Sequence, residues 1–134
     1  MGRKLICAAA SVLILAALAG CGGSSKPPYC SSLTNLKESI KALPPTDVIK
    51  NGTSALKTNV NKVVTNAHSV VDSAKQDFPS ETSAITTAVN SLKTTVNQLQ
   101  QNASPTLVVQ AAGNVASVGT AVKSFASSAS SKCG

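Results

Sequence analysis

The chain is 134 residues long and carries 12 basic against 5 acidic side chains, a formal net charge of +7. That length suits a single domain. With one Tyr, two Phe, no Trp and lysines spread along the sequence, it lacks both the concentrated basic face and the stacking aromatics of a nucleic-acid binder.

Arg3 and Lys4 form a positive n-region, and Leu5 to Leu18 an apolar h-region followed by small residues, the pattern of a secretory signal peptide. The run is shorter than the roughly 20 residues a membrane-spanning helix needs. It ends in Leu18-Ala19-Gly20-Cys21, which resembles the lipobox of bacterial lipoproteins at all four positions. The resemblance implies a diacylglyceryl group on the Cys21 sulfur, cleavage before Cys21 and acylation of the new N-terminus. Acyl chains such as palmitate would then hold the protein on the extracytoplasmic side of the cell membrane. Each buried CH₂ contributes about 0.8 kcal/mol, and two or three chains make a stable anchor where one does not. The expected organisation is residues 1–20 as signal peptide, 21–29 as lipidated cysteine and tether, and 30–134 as the body. Cys7 leaves with the signal. Loss of Arg3 and Lys4 leaves ten lysines against five acids, a net side-chain charge of +5, which favours weak attraction to anionic headgroups or envelope polymers.

Gly22 to Pro28 reads as a tether, flexible in its Gly/Ser half and stiff at Pro27-Pro28. From Tyr29 onward apolar residues recur at alternating spacings of three and four. Leu33, Leu36, Ile40 and Leu43 form a short first segment that Pro44-Pro45 stops. The second, capped by Thr46 or Asp47, carries Leu56, Val60, Val63, Ala67, Val70 and Ala74, with Val64 and Val71 beside the stripe; Asn51-Gly52 is its expected break. Phe78-Pro79 closes it, and Ser80 is the expected N-cap of the third, with Glu81 suited to the helix dipole. The third segment carries Ile85, Val89, Leu92, Val96, Leu99 and Ala103. Ser104-Pro105 reads as N-cap and N1 of the fourth, which carries Val108, Ala111, Val115, Val118, Val122, Phe125 and Ala129. A 3-4 seam held through four segments predicts helices, since strands alternate every second residue. Abundant Val, Thr, Ser and Asn give low intrinsic helix propensity, so packing must supply the stability. Thr53-Ser54-Ala55-Leu56 recurs as Thr82-Ser83-Ala84-Ile85, a faint repeat in a chain of restricted composition.

With Cys21 occupied by lipid, Cys30 and Cys133 remain. An exported compartment permits disulfides, and four antiparallel helices would bring the end of the chain back towards its start. An intramolecular Cys30–Cys133 bond is the leading expectation; a bond between chains and free thiols are the alternatives. Because the first segment is short, the two cysteines need not meet at the same height, and the tail Ala126–Lys132 could unwind to reach Cys30. The lipobox, the Tyr29-Cys30 opening of the helical body and Cys133 near the C-terminus together resemble small helical lipoproteins of actinobacteria, many of unassigned function. That resemblance implies a helical bundle and no chemistry.

His68, the single histidine, stands at the edge of the seam with Asp72 four residues on, and reads as a boundary or exposed side chain. The acids Glu38, Asp47, Asp72, Asp77 and Glu81 form no evident pair. There is no Gly-x-Ser-x-Gly elbow, no Cys-x-x-Cys and no phosphate loop. Asn51-Gly52-Thr53 is formally a glycosylation sequon and reads more simply as a turn. Gly113 and Gly119, with Ala111, Ala112, Ala116 and Ala126, thin the last helix. Close helix approach is the first expectation there and an apolar groove the second.

The sequence therefore predicts an all-α, antiparallel, disulfide-closed bundle of three long helices and one short N-terminal helix. It predicts a non-enzymatic, membrane-anchored envelope lipoprotein without metal or cofactor beyond the lipid on Cys21. Its expected partners are membrane lipid and an envelope protein, with no nucleic acid. The alternative function is a carrier or sensor that binds an apolar ligand between helices.

Overall fold

The computed structural model describes residues 25–43 and 47–134. Residues 1–24, which include the expected signal peptide and Cys21, and residues 44–46 lie outside the described residues. Among the described residues five helices follow in order: α1 Pro28–Lys41, α2 Asp47–Ala74, α3 Pro79–Gln101, α4 Pro105–Ser128 and the short α5 Ser130–Cys133. There is no strand among the described residues.

Proline sets three of the starts. Pro28, Pro79 and Pro105 each occupy the first turn of a helix, where the missing N–H costs nothing and the fixed φ is already helical. Of the helix starts that are described, that of α4 has the expected side-chain cap: Ser104 Oγ accepts from the Leu107 backbone N–H at 3.3 Å, while the cap expected for α2 at Thr46 or Asp47 lies outside the described residues and side chains. Ser80 does not cap α3. Phe78 takes that place without a side-chain bond, because Pro79 already begins the helix and leaves Ser80 inside its first turn. Glu81 lies in that turn as expected.

The break at Asn51-Gly52 is real. Gly52 interrupts α2 with φ 75° and ψ 175°, a conformation essentially reserved for glycine. Beyond it Leu56, Val60, Val63, Ala67, Val70 and Ala74 are all buried. So are Ile85, Val89, Leu92, Val96 and Leu99 of α3, and Ala111, Val118, Val122 and Phe125 of α4. Val108 and Val115 are half-buried, and Ala103, beyond the end of α3, is exposed. The two halves of the faint repeat place equivalent residues inward: Leu56 matches Ile85, and Val60 matches Val89.

Two boundaries differ from the sequence expectation. Tyr29 and Cys30 belong to the first turn of α1 and are buried, with Tyr29 only 1% exposed. The helical body thus begins at Pro28, two residues before the expected boundary at 30, because Pro27-Pro28 starts a helix instead of extending a linker. The Ala126–Lys132 tail does not unwind: α4 continues to Ser128, Ala129 N–H bonds to Phe125 O, and α5 follows at once.

Helix α1 packs on α2, α2 on α3 and α3 on α4, whereas α1 meets α4 less extensively. Asn59 Nδ2 of α2 donates to Ala42 O at 3.4 Å, and Asn66 Nδ2 donates to Asn35 O at 3.3 Å and to Ser39 Oγ. Between α3 and α4, Asn114 Nδ2 donates to Thr95 Oγ1 at 2.8 Å and to Ser91 O at 3.2 Å, and Ser128 Oγ donates to Glu81 at 2.7 Å. Thr95 and Thr82 are the buried polar residues among those described. Thr82 meets its need within its own helix, donating to Phe78 O at 2.8 Å. Hydroxyl-to-carbonyl bonds of this kind recur at Thr34, Thr58, Thr86, Thr87 and Thr120, a local partner that Thr hydroxyls commonly find inside a helix.

Candidate functional site

Three features of the molecule bear on function: the staple, the polar face of α3 and α4, and a groove between α1 and α4. At the staple, Cys30 and Cys133 form an intramolecular disulfide with an S–S distance of 2.08 Å and Cα atoms 5.5 Å apart. Lys26, just before α1, reaches Gly134 O with its Nζ at 3.4 Å. The segment that enters from the tether and the last residues of the chain therefore lie together.

Beside the staple sit Tyr29, Phe78 and Phe125, the complete aromatic complement of the chain. The Tyr29 hydroxyl is buried with no hydrogen-bond partner among the described residues. Burial raises its pKa above the usual 10.0, and the nearby Asp77 carboxylate adds to the effect without a geometry that closes a hydrogen bond. Sequence reasoning did not find this cluster. Its three members lie far apart in the chain, and no local pattern brings them together.

The remaining candidates for chemistry stand apart. His68 is exposed, and Asp72 turns to Lys75 at 3.6 Å. Glu38 pairs with Lys41 at 2.9 Å. Glu81 is held below the usual carboxylate range, first by the Ser128 hydroxyl and then by a backbone N–H. Among the described residues no three of His, Cys, Asp and Glu gather in a group able to hold a metal ion, and no helix is long and apolar enough to cross a membrane.

The outer surface of α3 and α4 carries uncharged polar groups. Thr87, Asn90, Thr94, Gln98 and Gln110 line a shallow furrow there, bridged by Asn114. The furrow offers amide donors and hydroxyl lone pairs, and no charged side chain lines it.

The groove lies where α1 meets α4. Its floor is Ile40, Val122 and Ala126 with Gly119, its rim is Lys37, Lys41 and Lys123, and its volume is about 250 Å³. The expectation that glycine thins α4 for close packing is not met. A Cβ placed on Gly113 or Gly119 would find no atom within 4 Å, because both glycines face open space, Gly119 at the groove. The small residues of α4 thus leave room where the looser α1–α4 contact does not fill it. The chain matches no protein-family model, no curated protein and no solved structure at a significant level.

Proposed function

We propose that this protein is a lipid-anchored, non-enzymatic module of the cell envelope, held through Cys21 on the extracytoplasmic side of the membrane and acting by contact with another envelope protein. The observation that carries the reading is the Leu18-Ala19-Gly20-Cys21 motif, a few residues ahead of a body that is stapled where the chain enters it. In this reading the helices form an antiparallel bundle. Support comes from the cross-helix bonds: Ala42 with Asn59 and Asn35 with Asn66, then Thr95 with Asn114 and Glu81 with Ser128, step up one helix as they step down the next. The stapled end then faces the bilayer on a short tether, and the long polar face of α3 and α4 is presented sideways to a neighbour.

In-cell cross-linking of the lipidated protein, followed by capture in detergent and mass spectrometry, tests this. The reading expects a recurrent envelope protein whose cross-link is lost when Asn90 and Gln98 are changed to Ala. Recovery of the protein alone in repeated captures contradicts it. The second reading, a carrier or sensor of a small apolar ligand, is favoured by the groove between α1 and α4.

A further inference from the structure

We propose that the α1–α4 groove is a binding site for a single-chain anionic amphiphile of the fatty-carboxylate class. The proposal rests on the carrier reading and gives it a ligand. The acyl chain lies along Ile40, Val122 and Ala126 over the space above Gly119, and the carboxylate lies among Lys37, Lys41 and Lys123.

Three observations lead there. The floor is apolar although it lies at the surface: Ile40 and Ala126 are only partly buried and Val122 closes it from the core. An open apolar strip bounded by polar groups is the usual form of a ligand groove. The rim carries charge of one sign. Lys41 is engaged by Glu38 at 2.9 Å, while Lys37 and Lys123 have no carboxylate partner among the described residues, so the rim attracts a single negative head. The size selects among anionic ligands. About 250 Å³ falls just below the ~300 Å³ at which ordinary ligand pockets begin. A groove of that size suits one acyl chain better than the paired tails of a bilayer lipid. The room exists because Gly119 carries no side chain and nothing else fills the space.

A photoreactive fatty acid carrying an alkyl diazirine tests the proposal on the full chain in nanodiscs of zwitterionic lipid, with the label mapped by peptide mass spectrometry. The label is expected on Ile40, Val122 or Ala126, competed by laurate and not by dodecyltrimethylammonium. Gly119→Leu fills the groove without meeting another atom at its Cβ, so its circular dichroism should match the parent while labelling disappears. Lys37→Glu with Lys123→Glu should reduce labelling at least tenfold. Labelling that persists in Gly119→Leu, equal competition by the cationic amphiphile, or a label elsewhere on the chain overturns the assignment. These outcomes leave the interaction reading untouched, since cross-linking decides that separately. A different small molecule co-purifying with the protein in native mass spectrometry would keep the carrier reading alive after this ligand had failed.

Discussion

Phe78 and Phe125 meet edge to face with ring centroids 5.4 Å apart, and Tyr29 stands against both at 5.7 and 6.0 Å. The residues come from the start of α1, the turn before α3 and the last turn of α4, so one contact set ties three distant parts of the chain together. Edge-to-face pairs contribute about 0.5–1.5 kcal/mol each beyond the area they bury. Phe125→Ala should therefore cost about 3–5 kcal/mol, read as a lower urea midpoint. His68→Ala, on the exposed face of α2, should leave the midpoint unchanged.

Tyr29→Phe should behave in the opposite way. It keeps the ring in the cluster and removes a buried hydroxyl that has no partner. Leaving such a group unpaired costs about 1–3 kcal/mol, so the variant should be as stable as the parent or more so in the same titration. A loss above about 1 kcal/mol would mean that the hydroxyl is bonded in solution.

The Cys30–Cys133 bond closes a loop across a sequence separation of 103. In the chain-entropy model a loop of that size contributes up to about 4.7 kcal/mol, a large share of the usual 5–15 kcal/mol for a domain. Reduction, or Cys133→Ser, should lower the melting temperature steeply, with the oligomeric mass on size exclusion unchanged.

Gly113 and Gly119 lie inside α4 with no atom near the position of a Cβ. Alanine at either place adds helix propensity without a clash, and each change should stabilise the protein by about 1 kcal/mol. Thermal melts of the two single variants check this. Destabilisation would mean that α4 approaches a neighbour more closely in solution.

Two side chains make stability depend on pH in opposite windows. Glu81 has its pKa lowered on folding by the Ser128 hydroxyl. Its contribution is complete above the ordinary value of 4.5 and declines as pH falls through the depressed folded value. Ser128→Ala should flatten that acid limb. Tyr29 has its pKa raised by burial, so above 10.0 the unfolded chain ionises before the native one and stability falls as pH rises. Tyr29→Phe should remove that alkaline limb. Denaturation midpoints across pH for parent and variants check both.

Much of the fold was legible because one physical signal dominated. Apolar residues at spacings of three and four marked the inward face of α2, α3 and α4, and Val63, Val70, Ile85, Leu92 and Val118 are fully buried. The disulfide was legible because Cys7 and Cys21 both fall in the expected leader and anchor, which leaves Cys30 and Cys133 at the two ends of the helical region. The local starts were harder to read. Pro27-Pro28 has the composition of a stiff linker and also that of a helix start, and only burial of Tyr29 against Phe78 and Phe125 decides between them. Ser80 has the right chemistry for a cap but follows a proline that has already begun the helix. The groove was half legible. Gly119 and Ala126 signalled missing volume, but whether a neighbour fills such volume depends on how α1 lies against α4, which no local pattern encodes.

In the proposed function the chain is anchored by lipid at Cys21. Intact-mass analysis of the protein extracted from membranes of its producing cells tests it most directly. The expected product is a chain that begins at Cys21, heavier than its polypeptide by two or three acyl chains, with the added mass on the N-terminal peptide and lost in Cys21→Ala. A chain that retains residues 1–20, or one cleaved elsewhere with an unmodified Cys21, would contradict it.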